Sequence, residues 1–429
     1  MKEINKKKII YLDNASATPL EKKVARFMEK NKGLYSNASS IHSEGIKARN
    51  AIQIARKKIA DLIFAHSDEI IFTGSGTESN ALAILGTITN YQLPITDKKI
   101  LPHIVTSTIE HPAVLENCKM LEKSKKAEVT YLSINEQGLI NPKDVKKALK
   151  ENTILVSVMY ANNEIGTIQP IMEIAKEIRH FKKIRLPSDI SPVGIDNLSL
   201  IIGNKKEYYP LFHTDACQAM NYLDTTNIEK LGVDMMSFNS SKIYGPKGIG
   251  ILYKKRHIEL SPIYGGGGQE MGVRSGTENV EAIAGASCAL ELVNKIKDKE
   301  KVRLIKLRDY AIEKILILSK SSGYPIILNG DKILRLPNNI NITLVGISSE
   351  LVVIELDAKG ILVSSKSACK SEDPNESYVI EALRTAQNME ISGMDGSLRI
   401  SLGRFTKKKD MDSFIKALED ILKKYRQWK

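Results

Sequence analysis

The chain has 429 residues, 42% hydrophobic and 26% charged. That balance excludes a disordered chain and supplies a core larger than one small domain needs. The net charge of +13 raises nucleic acid as a partner. However, the lysines spread over helix faces such as residues 295–306 and the C-terminal tail, so solvated faces are expected and direct nucleic-acid binding is not.

In chain order, apolar periodicity predicts helices over residues 21–31, 43–64, 77–90, 112–123, 142–150 and 170–181. Strands are predicted over 69–72, 104–107, 129–132, 154–160, 211–214 and 235–238. Strand and helix alternate, which predicts an α/β fold with a mostly parallel sheet covered by helices and a site at the strand ends. A long helix over 278–318 leads into a smaller α+β part, with strands and helices at 339–343, 349–358, 398–401 and 407–425. The expected division is a large domain over 17–297 and a small one over 298–429, joined by the N-terminal segment 1–16. No run of eighteen apolar residues occurs, and the charged start, Lys2 to Lys8, has no apolar stretch behind it. Neither a membrane span nor a secretory signal is therefore expected.

Four stretches carry chemistry. Phe72-Thr73-Gly74-Ser75-Gly76-Thr77-Glu78-Ser79-Asn80 runs from strand through a glycine turn into a helix start. Free N–H groups, the helix dipole and a hydroxyl converge there, as a phosphate cradle requires; Ser/Thr/Gly also cap ordinary helices. Leu211-Phe212-His213-Thr214-Asp215 is a short buried strand ending in an acid. Lys242 follows the apolar run 233–238 inside Ser240-Ser241-Lys242-Ile243-Tyr244-Gly245-Pro246. A lysine walled by small polar residues can be held near neutral and form a Schiff base with a carbonyl cofactor. A buried acid on a neighbouring strand suits the pyridine nitrogen of pyridoxal phosphate. A salt-bridged lysine and a capping aspartate are the alternative reading of that pair. Gly265-Gly266-Gly267-Gly268, ahead of Arg274-Ser275-Gly276-Thr277, suits close backbone approach.

The last stretch is Ser364-Ser365-Lys366-Ser367-Ala368-Cys369-Lys370-Ser371. A thiol in a polar loop beside two lysines is expected to be exposed and to favour thiolate. Cys118, Cys217 and Cys288 lie in settings that read as structural. Four unpatterned cysteines in so long a chain make neither a disulfide framework nor a zinc site, which fits a reducing cytoplasm.

Together these residues resemble a cysteine desulfurase of the class V branch of fold-type I pyridoxal-phosphate enzymes. Further matching motifs are Glu110-His111, Asn162-Asn163-Glu164-Ile165-Gly166, Asp215-Ala216-Cys217-Gln218 and Leu398-Arg399-Ile400-Ser401-Leu402-Gly403-Arg404. The resemblance spans nearly the whole chain, from Tyr11 to Thr406. The long spacer from Cys369 to Ser377 is similar to the subgroup with an extended, mobile cysteine loop.

The resemblance implies a role for each matching position. Lys242 holds the cofactor and shuttles protons, Asp215 pairs with the pyridine nitrogen, and Gln218 meets the phenolic oxygen. His111 stacks on the ring and serves as acid or base. Gly76, Thr77 and Ser241 hold phosphate, and Thr277 reaches the phosphate of a second subunit in a homodimer. Arg404 clamps the substrate carboxylate, helped by Asn163 and Asn37. Cys369 attacks the sulfur of L-cysteine, giving L-alanine and a persulfide for an acceptor protein, an iron–sulfur scaffold or a tRNA-thiolation enzyme. No metal is implied. Two departures stand out. Asn239-Ser240-Ser241 replaces the frequent Ser-Gly-His before the lysine, and residues 183–211 are longer than the pattern requires, reading as a surface insertion. The rival readings are a selenocysteine lyase or another class V aminotransferase-like enzyme, for which Cys369 is dispensable, and a non-catalytic sulfur-transfer scaffold.

Overall fold

The computed structural model describes residues 9–91, 100–185, 209–365, 377–389 and 396–426. A two-residue strand, β1 (Ile10–Tyr11), precedes α1 (Lys22–Asn31) and α2 (Ser43–Leu62). A seven-stranded sheet follows: β2 (Ile70–Thr73), β3 (His103–Ser107), β4 (Glu128–Leu132), β5 (Thr153–Ser157), β6 (Leu211–Asp215), β7 (Met235–Asn239) and β8 (Gly250–Lys254). Their spatial order is β2-β8-β7-β6-β5-β3-β4. All run parallel except β8, which is antiparallel to both neighbours. The helices between strands are α3 (Gly76–Asn90), α4 (Pro112–Lys123), α5 (Pro142–Ala148), α6 (Ile171–Arg185) and the short α7 (Ile228–Leu231).

The central strands are buried on both faces, and their alternation divides the core in two. Ile104, Leu155, Leu211, Met235 and Leu252 face one apolar cluster. Val105, Val156, Phe212, Met236 and Phe238 face the other. That double burial is why these strands read as apolar runs rather than as alternating patterns. Helix starts match the sequence because their signals are local. Asn141 caps α5, His111 caps α4, and each is followed by proline at the first helical position.

β8 departs from the expected alternation. No helix separates it from β7; the chain folds back through residues 240–249, and an antiparallel neighbour needs no crossover. The expected strand over 154–160 stops at Ser157, and the next residues leave the sheet toward the site. α6 ends at Arg185 and β6 begins at Leu211, so most of the expected insertion, 186–208, lies outside the described residues.

α8 (Val280–Ser322), 43 residues long, packs on α1 and α2 and runs on toward the C-terminal part. There β9 (Ile326–Leu328), β10 (Asn339–Leu344), α9 (Ser349–Ala358), β11 (Ile361–Leu362), α10 (Tyr378–Ala386), β12 (Gly396–Ser401) and α11 (Lys408–Arg426) follow. The second sheet is antiparallel, in order β12-β10-β9. β1 pairs in parallel with β11, and Asp13 bridges to Ser401. The N-terminal segment is thereby stitched into the C-terminal part, which sets residues 13–16 beside the large sheet's strand ends. Among the described residues no helix is long and apolar enough to cross a membrane.

Candidate active site

A cavity of about 150 Å³ opens at the carboxyl ends of the parallel strands. β7 ends at Asn239, and the chain tightens into a single 3-10 turn, Ser240–Lys242. The N–H of Gly245 returns to the Ser240 carbonyl at 3.0 Å, closing the turn. Lys242 enters the cavity, and its Nζ donates to the Ser16 carbonyl.

Asp215, at the end of β6, is held on both oxygens. Its Oδ1 accepts the Cys217 N–H at 2.9 Å and its Oδ2 accepts Asn80 Nδ2 at 2.7 Å. Asn80 belongs to the first turns of α3, whose N-terminus forms the next wall. Ser75 caps that helix through the Glu78 N–H at 3.1 Å. Glu78 accepts the Gly74 N–H at 2.6 Å and pairs with Arg274 at 2.9 Å. The first helical N–H groups, of Gly76 and Thr77, have no acceptor within the helix and lie at the cavity. A Cβ at position 76 would stand 2.8 Å from Cys217 Sγ and 3.0 Å from Asn239 Nδ2, so only glycine fits.

His111 lines the cavity from the start of α4, with Nδ1 accepting the Ala113 N–H at 3.1 Å. Beneath it Glu110 is buried, accepting Ser107 Oγ at 2.6 Å and the Met159 N–H. Burial pushes its carboxyl up to about 8. Below Asp215 on the same strand, His213 lies between Ser157 and Ser237, 2.9 Å from each hydroxyl. Burial lowers it to about 4, so its ring is neutral. Gln218 lines the cavity and donates to the Ala15 carbonyl at 2.9 Å.

The opposite wall comes from the second sheet. Arg399, on β12, is 2% exposed and reaches into the cavity. Nη2 donates to Asp13 at 2.9 Å and to Ser16 Oγ at 2.7 Å, and Nη1 to the Asn163 carbonyl at 3.1 Å. Among the described residues its Nε is buried without a partner, as are Oδ1 of Asn80, Asn163 and Asn239. Four orphaned polar atoms on residues of one cavity are the mark of a site built for a polar ligand, since each otherwise costs about 1–3 kcal/mol.

The structure thus brings together Gly76, Thr77, His111, Asn163, Asp215, Gln218 and Lys242. It does not bring Arg404. The strand register decides between the two arginines of the Leu398 to Arg404 motif: Arg399 lies within β12, opposite Asn341, whereas Arg404 follows the strand's end. There Arg303 grips the carbonyls of Gly403, Arg404 and Thr406. The Arg404 guanidinium lies 4.2 Å from the centre of the Tyr244 ring and 2.8 Å from Glu21. The expectation that Arg404 reaches the site is therefore corrected: Arg399, not Arg404, lines the cavity. Asn37 is also outside the cavity; it is exposed, and its Oδ1 closes a turn on the Ser39 N–H at 2.8 Å. Ser241 precedes Lys242 but does not line the cavity, and its carbonyl accepts Thr18. Thr277 is exposed and away from this chain's cavity. Cys369 lies outside the described residues. Cys217, read as structural, lines the cavity instead, its thiol raised well above its ordinary value by burial and by Asp215. Asn80 and Asn239 were visible only as parts of motifs; their roles depend on contacts that sequence spacing does not reveal.

The family described as aminotransferase class-V matches residues 10–193 and 190–414, two stretches that meet inside the expected insertion. A cysteine desulfurase IscS of Dictyoglomus turgidum is 42% identical, covering 98% of this chain and 96% of that one. A cysteine desulfurase IscS of Methanosarcina thermophila is 37% identical, covering 98% and 93%. Among solved structures, a NifS-like protein superposes with a TM-score of 0.81 at 29% identity, covering 97% of this chain and 99% of that one. A structure described as SspA in complex with cysteine has a TM-score of 0.70 at 32% identity, covering 93% and 100%. With family and relatives matched over nearly its whole length, the chain belongs to the class-V aminotransferase family and, within it, to the cysteine desulfurases.

Proposed function

We propose that this cavity takes pyridoxal phosphate and L-cysteine together, and that the sulfur leaves on Cys369. The observation that carries the reading is the convergence of four groups on one cavity. These are the Lys242 amine, a carboxylate fixed at a strand end, the N-terminus of α3, and a buried arginine with an unpaired Nε. When bound, the cofactor supplies an electron sink for charge developing at the substrate Cα. The donor set fits it. Lys242 is the covalent anchor, and Asp215, aimed by Asn80 and Cys217, meets the ring nitrogen. Gln218 would meet the phenolic oxygen and His111 would lie against the ring. The N–H groups of Gly76 and Thr77, with Asn239 in place of the family's frequent serine, receive the phosphate.

Arg399 binds the carboxylate of L-cysteine through its free Nε edge, with Asn163 beside it. Lys242 Nζ takes the Cα proton. The Cys369 thiolate then attacks Sγ: an S–S bond forms, the Cβ–Sγ bond breaks with its electron pair kept by Cβ, and Cβ takes up a proton while Lys242 returns one to Cα, so that L-alanine departs and the persulfide stays on Cys369. Cys369 lies four residues beyond Ser365, whose carbonyl is held by Ser397 of β12 at 3.0 Å. Four residues span at most about 14 Å, which tethers the thiol to the strand that carries Arg399. The exposed Thr277 in its glycine-rich loop supports a homodimer that completes the phosphate site. The division into domains over 17–297 and 298–429 remains our reading, as do delivery to an iron–sulfur scaffold or a tRNA-thiolation enzyme and a cytoplasmic setting. The free thiols of Cys118, Cys217 and Cys288 suit that compartment.

The test is to incubate the purified protein with L-cysteine and measure alanine and protein persulfide together. Wild type yields both in equal amounts. Cys369→Ser keeps the cofactor and its response to L-cysteine but yields no persulfide and almost no alanine. Alanine release by Cys369→Ser at the wild-type rate would hand the site to the lyase reading. A protein that takes up no pyridoxal phosphate would leave the scaffold reading.

A further inference from the structure

Asn339 and Asn341 lie on β10, a strand buried throughout, and each is 1% exposed. A buried amide costs free energy unless both its ends are bonded, and here both are. The two Nδ2 groups converge on one acceptor, the Glu164 carbonyl, at 2.9 and 3.2 Å. Behind them, Asn339 Oδ1 accepts Arg335 Nη1 at 3.2 Å and Asn341 Oδ1 accepts Asn329 Nδ2 at 2.7 Å, so neither amide can flip without losing a bond. The point they hold is next to the site. Glu164 follows Asn163, which lines the cavity and whose carbonyl accepts Arg399 Nη1 at 3.1 Å. Asn341 is also paired with Arg399 across the antiparallel ladder, and directly opposite residues put their side chains on one face. Gly166 shows how close β10 comes: a Cβ there would stand 2.5 Å from Asn339 Oδ1. Neither asparagine lines the cavity itself.

We infer that Asn339 and Asn341 are positioning residues for recognition of the substrate carboxylate. They clamp the Asn163–Glu164 peptide against β10, so that Asn163 and the Arg399 fork keep one mutual geometry. The inference rests on the reading above, in which Arg399 and Asn163 receive the carboxylate. Releasing one amide lets that peptide turn, and the Asn163 carbonyl then no longer directs Arg399 Nη1. The pair has no part in holding the cofactor, whose donors belong to the strand ends and the start of α3.

The test is ligand binding to the holoenzymes of Asn341→Ala and, separately, Asn339→Ala. L-alanine and ethylamine differ only in the carboxylate, and neither carries sulfur. Their affinities are read from the cofactor's absorbance change. In each variant the Kd of L-alanine is expected to rise about ten-fold while that of ethylamine stays within about two-fold. In turnover the KM for L-cysteine rises by a similar factor, and kcat stays within about two-fold. Thr343→Val is the control. Thr343 shares the network by accepting Asn329 Nδ2 at 2.9 Å, and among the described residues it has no bond to the Glu164 carbonyl. Its unfolding midpoint falls with those of the other variants while both Kd values stay at wild type. An unchanged L-alanine Kd in either asparagine variant overturns the inference for that residue and leaves Arg399 its role. Equal weakening of both ligands, or a matching loss in Thr343→Val, overturns it as well, because either marks a general structural fault. A wild-type holoenzyme that binds L-alanine no more tightly than ethylamine removes the carboxylate reading and this inference with it.

Discussion

The two walls of the cavity are built in different ways. The sheet wall is made of strand ends and a helix start, and its functional groups are fixed by short local bonds. Asp215 is held by Asn80 and Cys217, His111 by the first turn of α4, and Lys242 by a closed 3-10 turn. The other wall is carried by β12 and contributes one described side chain, Arg399, steadied by Asp13 and Ser16 of the N-terminal segment. Orientation of a cofactor needs the first construction. On the proposed reading, recognition of a small substrate needs less, an arginine held on a strand. The sheet wall should therefore govern the cofactor and every later step, and the other wall the substrate alone.

The largest effect expected is at Lys242. On the proposed reading Lys242→Ala removes both the anchor and the base, so turnover should fall by about four orders of magnitude or more. The covalent cofactor band should vanish even without L-cysteine. A variant that keeps the wild-type band would show that the anchor lies elsewhere.

Arg399→Lys breaks the other wall while keeping its charge. An ammonium cannot present a planar fork, so the KM for L-cysteine should rise by about two orders of magnitude. The cofactor band without substrate should not change. Arg404→Ala is the companion variant. Its guanidinium serves Tyr244 and Glu21, so activity should stay within about three-fold while stability falls by about 1–2 kcal/mol. If Arg404→Ala raises KM and Arg399→Lys does not, the strand-register argument fails.

That pair also shows what the sequence can and cannot carry. The helix starts at Ser75, His111 and Asn141 were legible because cap and proline signals are local. The buried strands were legible because they are apolar on both faces. The motif Leu398 to Arg404 announced an arginine but not which one, since that depends on where β12 ends. The placement of β8 was not legible either, because a pattern of strands and helices implies crossovers and β8 has none. Asn80 and Asp215 meet across 135 positions, and no spacing rule reaches so far. Asn37 lies outside this chain's cavity, and the sequence could not show it, because an asparagine that closes a local turn looks the same in sequence as one that binds a ligand.

Asn80→Ala sharpens the sheet wall. It removes the amide on Oδ2 and leaves the Asp215 carboxylate to Cys217, through its N–H and its thiol, so its orientation loosens. The cofactor Kd and kcat should each worsen about ten-fold, since one bond to a charged acceptor is worth roughly 1.5 kcal/mol. The L-cysteine KM should change little. A rise in KM with an unchanged cofactor Kd would move Asn80 to the substrate side.

The smallest effects concern pH, and they too separate the walls, because the buried neutral groups belong to the sheet wall. His213 is lowered by burial to about 4 from 6.5, and His103 on β3 likewise to about 4. Between pH 6.5 and 4 the unfolded chain takes up protons that the folded one refuses, so stability falls as the solution is acidified. Glu110 works in the other direction. It is raised by burial from 4.5 to about 8. Between those values the unfolded chain has lost a proton that the folded one keeps, so stability falls as pH rises. From 4.5 to 6.5 the slopes oppose, but two histidines outweigh one glutamate by a proton, so stability should still fall by about 1.4 kcal/mol for each pH unit of acidification. From 6.5 to 8 Glu110 acts alone among these three, removing about 2 kcal/mol. Glu110→Gln keeps the size and the acceptor for the Met159 N–H but cannot ionise. In denaturant titrations of the protein without cofactor, its midpoint should stay level from pH 6.5 to 8 where wild type declines. An equal decline in both proteins would mean that the alkaline loss comes from groups outside the sheet wall.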